Sequence, residues 1–271
     1  MKDKPEIAVI MSACKRDHFE EQFKALSDQS VRPSVFYMYQ NLPQYDLRDF
    51  CKKNKIIHIY SDKDFGCYGR FTVPLLVQAE YCLIIDDDTI PGPRWIENCL
   101  RCHKKYNAAV GSMGQRLPPV SIKQKAFIYQ EGRYCVRKKE GEGLYEVEGL
   151  RQDHRVDYIL HNYFFRKEWI KYFWSLDPLY YHIFEDFHFG ITMALAGIPV
   201  YVAKQETLEE AGSIKWAYQY DEHRGMDRPL DDLQQIKKYY DYVWKKGWRP
   251  LCVREKGLIG RWLTSRALID T

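Results

Sequence analysis

The apolar run Tyr81-Cys82-Leu83-Ile84-Ile85 ends in three consecutive carboxylates, Asp86, Asp87 and Asp88, and Thr89-Ile90-Pro91-Gly92-Pro93 follows at once. A short, continuous apolar run of this kind reads as a strand buried on both faces. Its carboxylates must then emerge at the carboxyl edge of a sheet, where open α/β folds bind ligands. Three adjacent anions repel one another and resist full ionisation unless a counter-charge is supplied. A divalent, oxygen-preferring cation such as Mg²⁺ or Mn²⁺ answers that need. The competing reading is a solvated turn whose aspartate caps the helix after Pro93. The strand in front and the Pro-Gly-Pro turn behind favour the metal site.

The rest of the chain supplies a sheet for that edge. Ile7 to Met11 reads as a buried first strand, and Asp17 opens a helix carrying Phe19, Phe23 and Leu26. Further strands are expected at 35–39, 56–60, 108–113, 156–165 and 198–203, and helices at 47–53, 68–80, 95–106, 167–174, 184–196 and 230–244. Strands alternating with helices give a mostly parallel sheet. The segment 115–155 reads as a hairpin with mobile loops, and 206–229 as loop. After the first strand comes Ser12-Ala13-Cys14-Lys15-Arg16, with no glycine-rich phosphate loop, which argues against a dinucleotide-binding unit or a P-loop.

Hydrophobic content of 45% over 271 residues supports a sizeable core. No apolar run approaches the length that spans a bilayer, and the opening Met1-Lys2-Asp3-Lys4-Pro5-Glu6 does not read as a signal peptide. The expectation is therefore a cytoplasmic protein whose cysteines behave as small hydrophobes. Cys99-Leu100-Arg101-Cys102-His103 has the spacing of a c-type haem attachment site. Its place on the apolar face of a helix, without an export signal, rejects haem.

A second acidic cluster lies in His182-Ile183-Phe184-Glu185-Asp186-Phe187-His188. Glu185 and Asp186 stand at a helix start, where the dipole favours a carboxylate. A carboxylate near a bound cation and an acceptor hydroxyl is also what a general base requires.

In order, these segments resemble the GT-A nucleotide-sugar glycosyltransferases, particularly the family-two-like group. Residues 7–16 (IAVIMSACKR) resemble its opening strand and donor-base loop, and 23–30 its first helix. Gly69-Arg70-Phe71 sits where a basic residue often precedes the metal strand. Residues 83–88 (LIIDDD) match the Asp-X-Asp motif, and Pro93-Arg94-Trp95-Ile96 follows. Residues 156–158 and 164–169 resemble the acceptor-side segment, and Glu185-Asp186 with Leu195-Ala196-Gly197-Ile198 the Glu-Asp helix. The likeness runs over about residues 5 to 205.

The resemblance implies a fold, an activity and a set of roles. The fold is α/β and GT-A-like, a single Rossmann-like, mostly parallel sheet flanked by helices, with a smaller acceptor-side half. One domain, 1–271, would comprise a nucleotide-sugar half (1–106), an acceptor half (107–230) and a basic segment (231–271). Asp86 and Asp88 would hold Mn²⁺ or Mg²⁺ against the donor diphosphate, with His223 as a further ligand. Asp87 would touch the ribose or brace the loop, and Arg70 would meet phosphate. Asn41, Asp62 and Ser12 would contact the nucleoside. Asp186 would be the base, with Glu185 as support or alternative. The reaction would be an inverting, metal-dependent transfer from a nucleoside-diphosphate sugar, UDP being the expected nucleotide.

Ile159-Leu160-His161-Asn162-Tyr163 departs from the family in lacking a small glycine-rich turn. His161 and Asn162 are either lining residues of a reshaped acceptor pocket or hydrogen-bonded structural ones. From Trp244 to the end, seven basic residues stand against two acidic ones, interleaved with Trp248, Leu251 and Trp262. Such a segment suits a packed element, an anionic membrane surface or a polyanion. The acceptor is therefore expected to be a glycan or lipid-linked glycan, with a hydroxylated base in nucleic acid as the alternative. A metal-dependent nucleotidyltransferase is the alternative reaction.

Overall fold

The computed structural model describes residues 5–14, 16–42, 44–117, 133–134, 137–138, 145–146, 150–216 and 231–255. The chain opens with β1 (Ile7–Ala13), α1 (Phe19–Ser27), β2 (Val35–Asn41), α2 (Arg48–Lys53), β3 (Ile57–Ser61) and β4 (Tyr81–Ile85). β5 (Thr89–Ile90) and α3 (Trp95–Tyr106) follow the aspartates. Short strands come next: β6 (Ala109–Gly111), β7 (Met113–Gln115), β8 (Arg133–Tyr134), β9 (Arg137–Lys138), β10 (Tyr145–Glu146), β11 (His154–Val156), β12 (Tyr158–Leu160) and β13 (Asn162–Arg166). The remainder comprises α4 (Ile170–Phe173), α5 (Glu185–Leu195), β14 (Val200–Val202), β15 (Lys215–Trp216), α6 (Asp231–Lys245) and α7 (Leu251–Glu255).

Eight strands form the central sheet in the order β11-β14-β6-β13-β4-β1-β2-β3. β3, β2, β1 and β4 are parallel neighbours, as are β6 and β14, while β13 and β11 run antiparallel to theirs. The sheet is thus mostly parallel and covered on both faces. Ala8, Ile10, Cys82 and Ile84 face a core shared with Tyr68, Phe71, Phe173 and Phe189. Ile7, Val9, Leu83 and Ile85 face the opposite core, with Leu26, Trp95 and Cys99. Full burial on both sides explains why β1 and β4 read as unbroken apolar runs. Cys99, Cys102 and His103 all point into the core from α3, and His103 Nδ1 bonds Ala108 O at 2.8 Å.

Several expectations change, among them the strand expected over 108–113, which is β6 in the central sheet and β7 in a second sheet. The helix expected over 68–80 is a 3₁₀ segment over Gly66–Leu75. Pro74 has no N–H for either ladder and its ring crowds the preceding turn, which accounts for the end of the coil at Leu75. The strand expected over 156–165 is three short strands, β11, β12 and β13, that serve two different sheets. Trp248, a residue that membrane docking would need, is 2% exposed and packs on Phe187 and Tyr240. The start of the basic segment is therefore a packed element, and residues 256–271 lie outside the described residues. No helix among the described residues is long and apolar enough to cross a membrane.

Candidate active site

The aspartates leave β4 at the carboxyl edge of the sheet, and buried glutamines fix the turn they make. Gln22, on α1, donates through Nε2 to Asp86 O at 2.6 Å and Thr89 O at 2.8 Å. Gln29 donates to Gly92 O at 2.7 Å and accepts from Ile96 N at 2.9 Å. None of the aspartates caps α3, whose N-cap is Arg94 with no side-chain cap bond. A glutamine on the apolar stripe of α1, spaced with Phe19 and Leu26, was the available sequence signal for this staple.

β13 brings a histidine to the aspartates. Asn162 registers with Ile85 and Tyr163 with Ile84, so the residue before β13 falls opposite Asp86, and Asp86 N donates to His161 O at 2.9 Å. His161 has φ of +65°, an unfavourable conformation for a residue with a Cβ, of the kind that accumulates at functional sites. Its Nδ1 lies 3.5 Å from Asp88 Oδ1 and 3.8 Å from Asp86 Oδ2. One donor atom from each of Asp86, Asp88 and His161 lies within 4.8 Å of the other two. An octahedral cation with bonds of about 2.1 Å separates its ligands by about 3 Å at right angles and about 4 Å across. His161 Nδ1 stands within that range of both carboxylates, and a set of two carboxylates and one imidazole suits Mn²⁺ better than the all-oxygen preference of Mg²⁺.

The other residues divide between clamps and the site proper. Arg16 Nη1 holds Asp87 Oδ1 at 2.9 Å and lies 3.7 Å from Asp88 Oδ2, so Asp87 braces the loop after β1. Arg70 reaches Asp86 Oδ1 at 2.9 Å and Glu185 Oε1 at 3.0 Å. Glu185, 5% exposed, is thereby engaged by a guanidinium. Asn162, the neighbour of His161, is structural: it accepts from Ser112 N at 2.9 Å and donates to Ser112 Oγ at 2.8 Å. Asn41 donates to Asp64 Oδ1 at 2.8 Å and accepts from Phe65 N at 3.1 Å, shaping the turn after β3. Asp62 is exposed on that turn. Ser12, at the end of β1, is 8% exposed, with its hydroxyl buried and no hydrogen-bond partner among the described residues. His223 lies outside the described residues.

The field inside the cluster separates its acids. Burial pushes the Asp86 carboxyl up to about 8, against Arg70 and with the help of Asp88. Asp88 is also buried, yet the hydrogen bond and charge of His161, with Arg16 and Thr89, bring it below the usual carboxylate range. His161 is disfavoured as a cation by burial, but Asp88 and then Asp86 raise it above its ordinary value. Asp186, in the first turn of α5, rises to about 6 through burial, and it feels Arg70, His161 and Asp88. A metal cation at the three donors would add to the charge that Arg70 and Arg16 already set against these carboxylates.

No family model matches the chain, and no curated protein matches it. Among solved structures, a crystal structure of S. aureus TarS, residues 1–349, is similar with a TM-score of 0.50 and 14% sequence identity. The likeness covers 74% of this chain and 58% of that one. The chain thus spans less than two thirds of that neighbour, and at this identity the likeness concerns the fold. The architecture is α/β and GT-A-like, a large, mostly parallel sheet flanked by helices.

Proposed function

We propose that the protein is a metal-dependent glycosyltransferase that moves a sugar from a nucleoside-diphosphate sugar, with UDP as the nucleotide, to an acceptor hydroxyl with inversion. The observation that carries this reading is the cluster of Asp86, Asp88 and His161 at the carboxyl edge of a GT-A-like sheet, with Asp186 in its electrostatic reach. These three residues would hold Mn²⁺ or Mg²⁺, with His161 as the imidazole ligand among the described residues. A bound cation offsets the charge that builds on the departing diphosphate.

Asp186 is the base. The acceptor oxygen forms its bond to the anomeric carbon as the bond from that carbon to the diphosphate oxygen breaks. The hydroxyl proton passes to Asp186, and the electron pair leaves with the nucleoside diphosphate. A carboxyl raised to about 6 is ionised at neutral pH and more basic than an ordinary aspartate, which suits proton abstraction. Glu185 fixes Arg70, and Arg70 fixes Asp86, so this pair orients the metal ligands. Asp87 braces the loop that leaves β1, Asn41 shapes the turn after β3, and Ser12 and Asp62 would face the nucleoside.

Incubating the protein with Mn²⁺ and either nucleotide sugars or nucleoside triphosphates tests the reading. Release of nucleoside diphosphate from a nucleotide sugar is expected. Pyrophosphate release from a triphosphate would replace it with a nucleotidyltransferase.

A further inference from the structure

Two large aromatic rings stand exposed beside the candidate active site. Phe65 is 56% exposed and Tyr181 is 55% exposed. Scattered apolar side chains on a surface are ordinary, but adjoining ones at a cleft mark binding surfaces. These two adjoin through their backbones. Gly66 has φ of +59°, and a Cβ on it would lie 2.3 Å from Tyr181 O and 2.9 Å from His182 Cα. Cys67 Sγ donates to His182 O at 3.4 Å. Only glycine permits the segments 65–67 and 181–182 to close on each other in this way.

The ledge is also held rigidly. Phe65 N donates to Asn41 Oδ1 at 3.1 Å, and Asp64 Oδ1 accepts from Gly66 N at 2.7 Å and from Asn41 Nδ2 at 2.8 Å. Tyr181 sets its ring edge-on to the buried Tyr68, with centroids 6.0 Å apart. Both segments run straight into the site. Arg70 follows Cys67 by three residues, and His182 precedes Glu185 by three. The Cys67 thiol is raised by burial and then by the charges of Glu185, Asp186 and Asp86, which places the ledge within the field of the base.

Charge selects the occupant. Residues 57–69 carry one lysine, Lys63, against Asp62 and Asp64; Arg70, the next cation, is held by Asp86 and Glu185; and residues 175–190 carry no lysine or arginine beside Asp177, Glu185 and Asp186. Nucleic acid and anionic lipid surfaces both need clustered lysine and arginine. A neutral sugar does not. It offers an apolar C–H face to a ring and hydroxyls to neighbouring carboxylates.

We infer that Phe65 and Tyr181 form the acceptor platform, on which a neutral carbohydrate lays one ring with its hydroxyl turned toward Asp186. The inference rests on the glycosyl-transfer reading and narrows its acceptor to a neutral glycan. Saturation-transfer NMR on the full chain, with Mn²⁺ and UDP present, tests it using cellotetraose, maltotetraose and chitotetraose. A dT10 oligonucleotide and phosphatidylglycerol vesicles serve as anionic comparators. At least one oligosaccharide should bind the wild type, with loss of roughly tenfold or more in the F65A/Y181A double variant, on the scale of a lost stacking platform. Tyr181→Phe should keep the binding, because the ring and not its hydroxyl is used. Both side chains are exposed, so Mn²⁺–UDP affinity and the thermal midpoint should be unchanged in the double variant. Absence of binding to all three oligosaccharides, equal binding by the double variant, or a loss of UDP affinity instead would overturn the platform. Failure of the wild type to bind Mn²⁺–UDP would instead sink the transferase reading, whatever the sugars do.

Discussion

His161 Nδ1 lies 3.5 Å from Asp88 Oδ1 because β13 pairs antiparallel with β4. That pairing turns an Asp-Asp-Asp motif into a cluster with an imidazole. His161→Ala should weaken Mn²⁺ binding by roughly 10- to 100-fold, on the scale seen when groups supporting a metal site are lost. Asp87→Ala should leave Mn²⁺ affinity within a few-fold, since Asp87 is paired with Arg16. Calorimetric titration with Mn²⁺ measures both, and equal effects from the two variants would contradict the ligand assignment.

Cation binding should release protons. Asp86 is raised to about 8 by burial, and His161 is raised by Asp88 and Asp86 despite its burial. Both must give up a proton to serve as ligands, so affinity rises with pH toward about 8, by about tenfold per unit for each proton displaced. Titrations at one pH in buffers of different ionisation enthalpy count the protons. Heats that do not depend on the buffer would exclude the effect.

Asp186→Asn would remove the proposed base while leaving the Asp86, Asp88 and His161 donors in place. Transfer should fall by about 10² to 10⁴, the range of general base catalysis, with Mn²⁺ and UDP affinities little changed. Transfer at the wild-type rate would remove Asp186 from the mechanism.

Acid should destabilise the fold through His188. It is fully buried, its Nε2 donates to Phe173 O at 2.8 Å, and its Nδ1 accepts from the Tyr239 hydroxyl. Burial holds its pKa down at about 4, the Phe173 bond opposing only in part. Unfolding restores a value near 6.5, so the unfolded chain binds more protons between pH 6.5 and 4, and stability drops as pH falls through that window. Between pH 7 and 5 this contributes roughly 2 kcal/mol. Urea melts at the two pH values should show this loss, and His188→Gln should lack that component.

Asp157 ties α7 to the sheet. Its carboxylate, 1% exposed, accepts from Leu117 N at 2.8 Å and Leu251 N at 2.7 Å. Asp157→Ala would leave both amides buried and unpaired, at about 1–3 kcal/mol each. A urea midpoint unchanged from wild type would show that the C-terminal segment is held by other contacts.

The sequence by itself determined the buried strands, the carboxylate edge and the helix start at Glu185, because each depends on local pattern. A strand covered on both faces must be apolar throughout, as 7–11 and 81–85 are, and carboxylates at its end must leave the core. Pro74 lies inside the span read as one helix, and the 3₁₀ coil found there depended on the packing around it. Tertiary structure alone brought His161 to the aspartates, since the antiparallel register of β13 against β4 sets it opposite Asp86. It alone assigned Asp87 to Arg16, and Asp86 and Glu185 to Arg70. Pairings between charges distant in sequence follow from the order in which strands join a sheet, and no single segment carries that order. The contact at Gly66 is of the same kind: its glycine is legible, but the Tyr181 carbonyl that requires it arrives from the other half of the chain.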